Sequence, residues 1–211
     1  MTLATPRPIQ LYRHRLSGHS HRVELMLRLL RLPHELIDID LRAAEHKQPA
    51  FLRLNRFGQL PVIDDNGVVL ADSNAILVYL ASQHGEGRWL PTDPEGAARV
   101  QRWLSVAAGP LASGAAAARR VTVFGAPLDA PALIAQSHAL LAVMNDELAG
   151  RDYLLGEQPT IADVACYTYT AHAPEGNVSL EGYAHVQAWL ARIQQWPNFV
   201  PMAPSAVGLA A

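Results

Sequence analysis

Two short stretches of the chain carry side chains suited to holding an anion at the start of a helix. In Leu70-Ala71-Asp72-Ser73-Asn74-Ala75-Ile76, an acid and a hydroxyl precede an apolar run with helical spacing. A helix N-terminus offers unpaired N–H groups and partial positive charge, so it attracts carboxylates, and Ser73 adds a hydroxyl donor. Asp and Ser are also the residues that cap helices, and the two roles are compatible. Ser17-Gly18-His19-Ser20-His21-Arg22-Val23 likewise joins a turn to a helical run. There a hydroxyl beside a helix start can donate to a bound anion. Ser17 and Ser20 both stand there, and Ser20 reads as an N-cap with Val23 as the first buried position.

The elements around these stretches follow from periodicity and breakers. Ile9 to Tyr12 reads as a strand, and Ser20 to Leu32 as a helix stopped by Pro33. Leu36 to Leu41 alternates apolar and polar residues, as a half-buried strand does. Pro49 to Leu54 is a second helix. Pro61 to Asp64 and Val68 to Leu70 form a hairpin across Asp65-Asn66-Gly67, since Asn-Gly readily takes positive φ. A third helix covers about Asp72 to Gln83. The order βαβαββα implies a parallel strand pair extended by a hairpin and covered by helices.

Gly85, Gly87, Pro91 and Pro94 mark a linker over residues 84–94. Beyond it only helices are expected: Glu95 to Arg120 with a break at Gly109-Pro110, Pro131 to Ala149, Thr160 to His172, and Gly182 to Gln195. Thr160-Ile161-Ala162-Asp163 is a capping box with a structural role. The expected fold is thus an α/β half over residues 1–83, the linker 84–94, and an all-α half over 95–211.

Composition narrows the function classes. The 211 residues are 50% apolar and 17% charged, with a formal net charge of −2, so a core can form and no basic nucleic-acid footprint exists. The single cysteine, Cys166, excludes an internal disulfide framework and a CxxC redox pair, and fits a reducing compartment. Met1 to Pro8 lacks a signal-peptide pattern, and Val106 to Ala118 is too short to span a bilayer. A cytoplasmic protein without membrane contact is expected. His14, His19, His21, His34 and His46 have no evident Cys or carboxylate partners, so they read as solvated loop residues rather than metal ligands.

Asn55-Arg56-Phe57-Gly58-Gln59-Leu60-Pro61-Val62-Ile63, followed by Ala71-Asp72-Ser73-Asn74-Ala75-Ile76, resembles the cytosolic glutathione S-transferase family. The likeness is to serine-type, bacterial-like members, with some similarity to the theta, zeta and beta groups. It implies a thioredoxin-like N-terminal domain and an all-helical C-terminal domain. It also implies a cis bond before Pro61, with Leu60 pairing its backbone with the cysteinyl part of glutathione. Ser73 would hold the γ-glutamyl carboxylate and Asp72 the α-amino group. Among His46, Lys47 and Gln48, Lys47 would meet the glycyl carboxylate.

The resemblance gives Ser17 the catalytic role. A free thiol near pKa 8.5 is only a few per cent ionised at neutral pH, and a hydroxyl donor plus a helix N-terminus favours the thiolate. Tyr12 is an alternative donor and, with Trp103 and Tyr167, a candidate for the substrate pocket. The implied activity is thiolate addition to a hydrophobic electrophile by a homodimer, with glutathione as co-substrate and no metal. Alternatives are a glutathione-dependent isomerase of the maleylacetoacetate type, which Gly18 and His19 disfavour, and a non-catalytic interaction protein. A glutathione-disulfide reductase lacks its nucleophilic cysteine. The sequence departs from the common Asn-Pro before Phe-Gly, leaving the local turn and Arg56 open.

Overall fold

A computed structural model describes residues 7–211, so the first six positions of the leader reading lie outside it. Strands β1 (Ile9–Arg13), β2 (His34–Asp38), β3 (Val62–Asp65) and β4 (Val68–Ala71) form one sheet in the order β2-β1-β3-β4. β1 runs parallel to β2, with Leu11 opposite Leu36, and antiparallel to β3, with Leu11 opposite Ile63. The β3–β4 hairpin turns through Asn66 and Gly67, both at positive φ, as the Asn-Gly pair requires.

Helices α1 (Gly18–Leu29), α2 (Pro49–Leu54) and α3 (Ser73–His84) belong to this first half. α1 begins earlier than periodicity suggests, because Ser17 is its N-cap: the Ser17 hydroxyl oxygen accepts from the Ser20 amide at 3.3 Å. Ser20 is therefore not the cap. It sits buried in the first turn and accepts from the His14 amide. The helix also stops earlier, at Leu29, and Arg31 at φ 55° turns the chain into Pro33 and β2.

The second half contains α4 (Pro94–Ala108), α5 (Ala117–Phe124), α6 (Ala130–Glu147), α7 (Ile161–Ala171) and α8 (Ala184–Gln194). The expected long helix is broken at Gly109-Pro110 and resumes through one wide turn over Ala112–Ala116 before α5. A proline cannot donate the i→i−4 bond, so the ladder must reform there.

α7 is buried along almost its entire length and packs against α1, α3 and α4. Its capping box is present, and Asp163 accepts from the amides of Leu154 and Thr160, the Thr160 hydroxyl and Trp189 Nε1. One apolar core runs through both halves, from Leu11, Met26 and Ile76 to Trp103, Cys166 and Trp189. Burial raises the Cys166 thiol pKa to about 12, so it stays protonated. None of the described helices is long and apolar enough to cross a membrane.

Candidate functional site

α1 and α3 start beside one another. Their first turns, the loop before β3, and the β1–α1 loop enclose an open cleft of about 490 Å³. Such a volume is ordinary for a small-molecule site. Ser17, His19, Leu60, Pro61, Asp72 and Ser73 all line it. Pro61 follows a cis peptide bond, as the resemblance implies.

Ser17 is placed to donate as well as to cap. Its oxygen accepts the Ser20 amide, so the hydroxyl proton remains available to the cleft. The α1 N-terminus supplies a partial positive charge at the same point. No glycine substitute fits next to it: a Cβ on Gly18 would lie 2.7 Å from the Tyr169 ring carbons.

Asp72 caps α3, its Oδ1 accepting from the Asn74 and Ala75 amides at 2.9 Å each. It does so at φ 72°, a conformation that non-glycine residues adopt at a cost, and which often accompanies functional sites. Ser73 is buried yet lines the cleft. His19 Nδ1 and Arg22 Nη1 each lie 3.3 Å from Ser73 Oγ.

The loop before Pro61 is built by Asn55, not by a proline. Asn55 accepts from the Phe57 amide at 3.1 Å and donates to Gln59 O at 2.9 Å. Arg56 lies within this turn and is exposed. Gly58 takes φ 57° and passes so close to His46 O that a Cβ would sit 2.7 Å away. Lys47 Nζ donates to the carbonyls of Phe57 and Gly58, at 3.3 and 3.1 Å. It thus braces the loop, and the neighbouring side chain that lines the cleft is His46.

The three residues offered for a substrate pocket lie apart from the cleft lining. Tyr12 donates to Gln10 at 3.2 Å and packs edge-on against Phe51. Trp103 is core, its carbonyl facing Cys166 Sγ. Tyr167 is buried against Trp189 and Phe199, and Gln194 donates to its hydroxyl. Trp103 and Tyr167 are buried in the core, while Tyr12 is half-buried on β1.

The histidines are not uniformly solvated loop residues, because α1 starts at Gly18. His19 is largely buried, which lowers its pKa to about 3, with Arg22 adding to the effect. His21 bridges the halves: Nε2 donates to Val200 O and Nδ1 accepts from the Thr168 hydroxyl, each at 2.8 Å, an assignment set by the carbonyl partner. Burial brings its pKa to about 4, so it is neutral. Among the described residues no three His, Cys, Asp or Glu side chains gather into a metal-binding group.

Two buried arginines beside these residues had escaped the sequence reading. Arg22 is fully buried behind Ser73, and Arg119 of α5 donates to Leu16 O at 2.8 Å, immediately before Ser17. Buried cations are rare, so an arginine in a helical pattern gives no signal of this placement.

Comparison with known proteins agrees with this architecture. Residues 16–83 match the glutathione S-transferase N-terminal domain, and residues 129–197 the C-terminal domain. Glutathione S-transferase 3 of Zea mays is 34% identical over 208 residues, covering 91% of each chain. Glutathione S-transferase theta-1 of Mus musculus is 28% identical, covering 88% of this chain and 82% of its own. The crystal structure of a glutathione S-transferase from Pseudomonas fluorescens superimposes with a TM-score of 0.88 at 33% identity, covering 93% of this chain and 99% of that one. Another, from Xanthobacter autotrophicus, gives 0.86 at 31% identity, covering 93% and 97%. With a thioredoxin-like sheet half, a helical half and relatives matched nearly end to end, this chain belongs to the glutathione S-transferase family.

Proposed function

We propose that this protein is a glutathione transferase that binds glutathione in the cleft and adds its thiolate to a hydrophobic electrophile. One observation carries the reading: Ser17, at the positive end of α1, faces the same cleft as Leu60, Pro61 and Ser73. In this reading the Leu60 backbone pairs with the cysteinyl unit, as an added strand does. Ser73 and the α3 N-terminus take the γ-glutamyl carboxylate, and Asp72 takes the amino group. His46 meets the glycyl end from the cleft wall, while Lys47 adds positive charge there and braces the Gly58 loop.

Ser17 donates to the sulfur and, with the helix N-terminus, favours the thiolate. Lowering the thiol pKa by about two units takes roughly 2.7 kcal/mol of preferential stabilisation, within reach of these two effects together. The electrophile approaches from the open side, toward the helical half. Conjugation is favoured over isomerisation of the maleylacetoacetate type because the Tyr169 ring occupies the space a side chain at position 18 would need.

We further place the protein in the cytoplasm as a homodimer serving detoxification, with halves at residues 1–83 and 95–211. The lone, buried Cys166 suits a reducing compartment, and Phe57, 81% exposed, is an apolar side chain suited to contact with a second copy. Light scattering on the purified protein tests the dimer. Retention on immobilised glutathione, lost in Ser73→Ala, tests the site. Failure of the wild type both to be retained and to conjugate a generic aryl halide would overturn the reading.

A further inference from the structure

Among the described residues, Arg22 stands out as a buried cation with no ion-pair partner. It is completely buried. Its Nη1 donates to Asn74 Oδ1 at 2.9 Å and Ser73 Oγ at 3.3 Å, both neutral oxygens. Its Nε and Nη2 have no hydrogen-bond partner among the described residues, and its guanidinium carbon lies 5.8 Å from the Tyr169 ring centre. The other buried arginine, Arg119, is by contrast paired with Glu175. Burying an unpaired charge is costly, so a fold that keeps one has a use for it.

The surroundings narrow that use. Charged and titratable groups facing Arg22 are few. His19, on its own helix, is neutral at working pH, with its pKa at about 3. From α7 come the Tyr169 ring and the Cys166 thiol, the latter with its pKa pushed up to about 12. Asp72 contributes attraction, but its Oδ1 is committed to two α3 amides. What remains is the place in front of Ser73, at the start of α3, which opens to the cleft.

We propose that Arg22 is a positioning residue whose buried charge awaits the α-carboxylate of the γ-glutamyl unit, one hydrogen bond beyond Ser73. Resting on the reading of the cleft as a glutathione site, the proposal adds the source of its selectivity for that carboxylate. Arg22 does not touch the ligand. It polarises Ser73 Oγ by donating to it, so the hydroxyl proton is better offered outward, and it supplies charge through a region with little water to screen it.

The test compares glutathione with γ-aminobutyryl-cysteinyl-glycine, which lacks only the α-carboxylate, by calorimetric binding to the folded protein. In wild type, deleting the carboxylate should weaken binding at least about tenfold, and in Arg22→Met that ratio should shrink by at least about threefold, the remainder coming from Ser73 and the α3 N-terminus. Arg22→Lys, keeping the charge, should restore most of the discrimination. A merely structural arginine would weaken both ligands together and leave their ratio unchanged, and that result overturns the proposal. If Arg22→Met does not fold, Asn74→Ala carries the test. It frees the anchored guanidinium and should lower glutathione affinity more than analogue affinity, whereas an unchanged ratio again overturns the proposal. A wild type that binds neither ligand removes the glutathione reading itself. A wild type that binds both equally removes the role of Arg22 together with the carboxylate contact given to Ser73, and leaves glutathione binding in the cleft standing.

Discussion

Arg119, on α5, donates a 2.8 Å hydrogen bond to the backbone oxygen of Leu16, so the helical half holds the loop that presents Ser17. The arginine is itself fixed by a buried ion pair with Glu175, which also accepts from the Ser205 amide and meets His172 Nδ1. Burial opposes the charge on Glu175, yet these partners hold its pKa below the ordinary carboxylate value. Arg119→Met takes the arginine cation away from that buried carboxylate and frees the loop. Urea denaturation should show a loss of about 3–5 kcal/mol, as for other broken buried pairs. A loss under about 1 kcal/mol would mean the pair is dispensable.

Gly58→Ala tests the brace under the cleft. Alanine at φ 57° costs about 1–2 kcal/mol before the close approach to His46 O is counted. Because His46 and Gly58 line the cleft, KM for glutathione should rise several-fold with kcat little changed. An unaffected KM would show that the ligand does not use this wall.

Asp163 holds the start of α7 through four donors, two of them backbone amides. Asp163→Ala strands them in the core and should cost about 3 kcal/mol or more, read as a lower denaturant midpoint. Stability within about 0.5 kcal/mol of wild type would remove the capping box from the account.

The pH dependence of stability follows from His21. Its folded pKa of about 4 lies below the ordinary 6.5, so between these values the unfolded chain binds more protons. Stability should therefore be full above about pH 6.5 and fall as pH drops toward 4. Protonation would also force the Thr168 hydroxyl to turn from donor to acceptor. His21→Gln should flatten that slope by up to about 1.4 kcal/mol per pH unit. Equal slopes in the two proteins would contradict a neutral buried His21.

What the sequence discloses and what it hides divide along physical lines. Element type was legible wherever period and breakers agreed, as in α2, the Asn66-Gly67 hairpin and the Gly109-Pro110 break. That Ser17, Leu60, Pro61, Asp72 and Ser73 gather around one cleft was legible because it depends on backbone position at helix starts and a strand edge. Side-chain direction was not. Lys47 bends back to loop carbonyls, and Trp103 and Tyr167 face the core. Nothing local distinguishes a helical residue facing core from one facing a cleft. The start of α1 was obscured because Gly18 looks like a turn residue, whereas its lack of a side chain admits Tyr169. Arg22 and Arg119 are visible only once distant elements close over them.

The titration of bound glutathione bears most directly on the function. Thiolate absorbance should be followed from pH 5 to 9 with the cleft saturated, in wild type and in Ser17→Ala. The wild-type complex should ionise about two units below the free thiol value of 8.5, while the variant binds comparably but ionises near 8.5. Conjugation of an aryl halide should fall at least tenfold in parallel. A wild-type thiol that titrates like free glutathione, or a variant that keeps the low value, would contradict the role given to Ser17 at the start of α1.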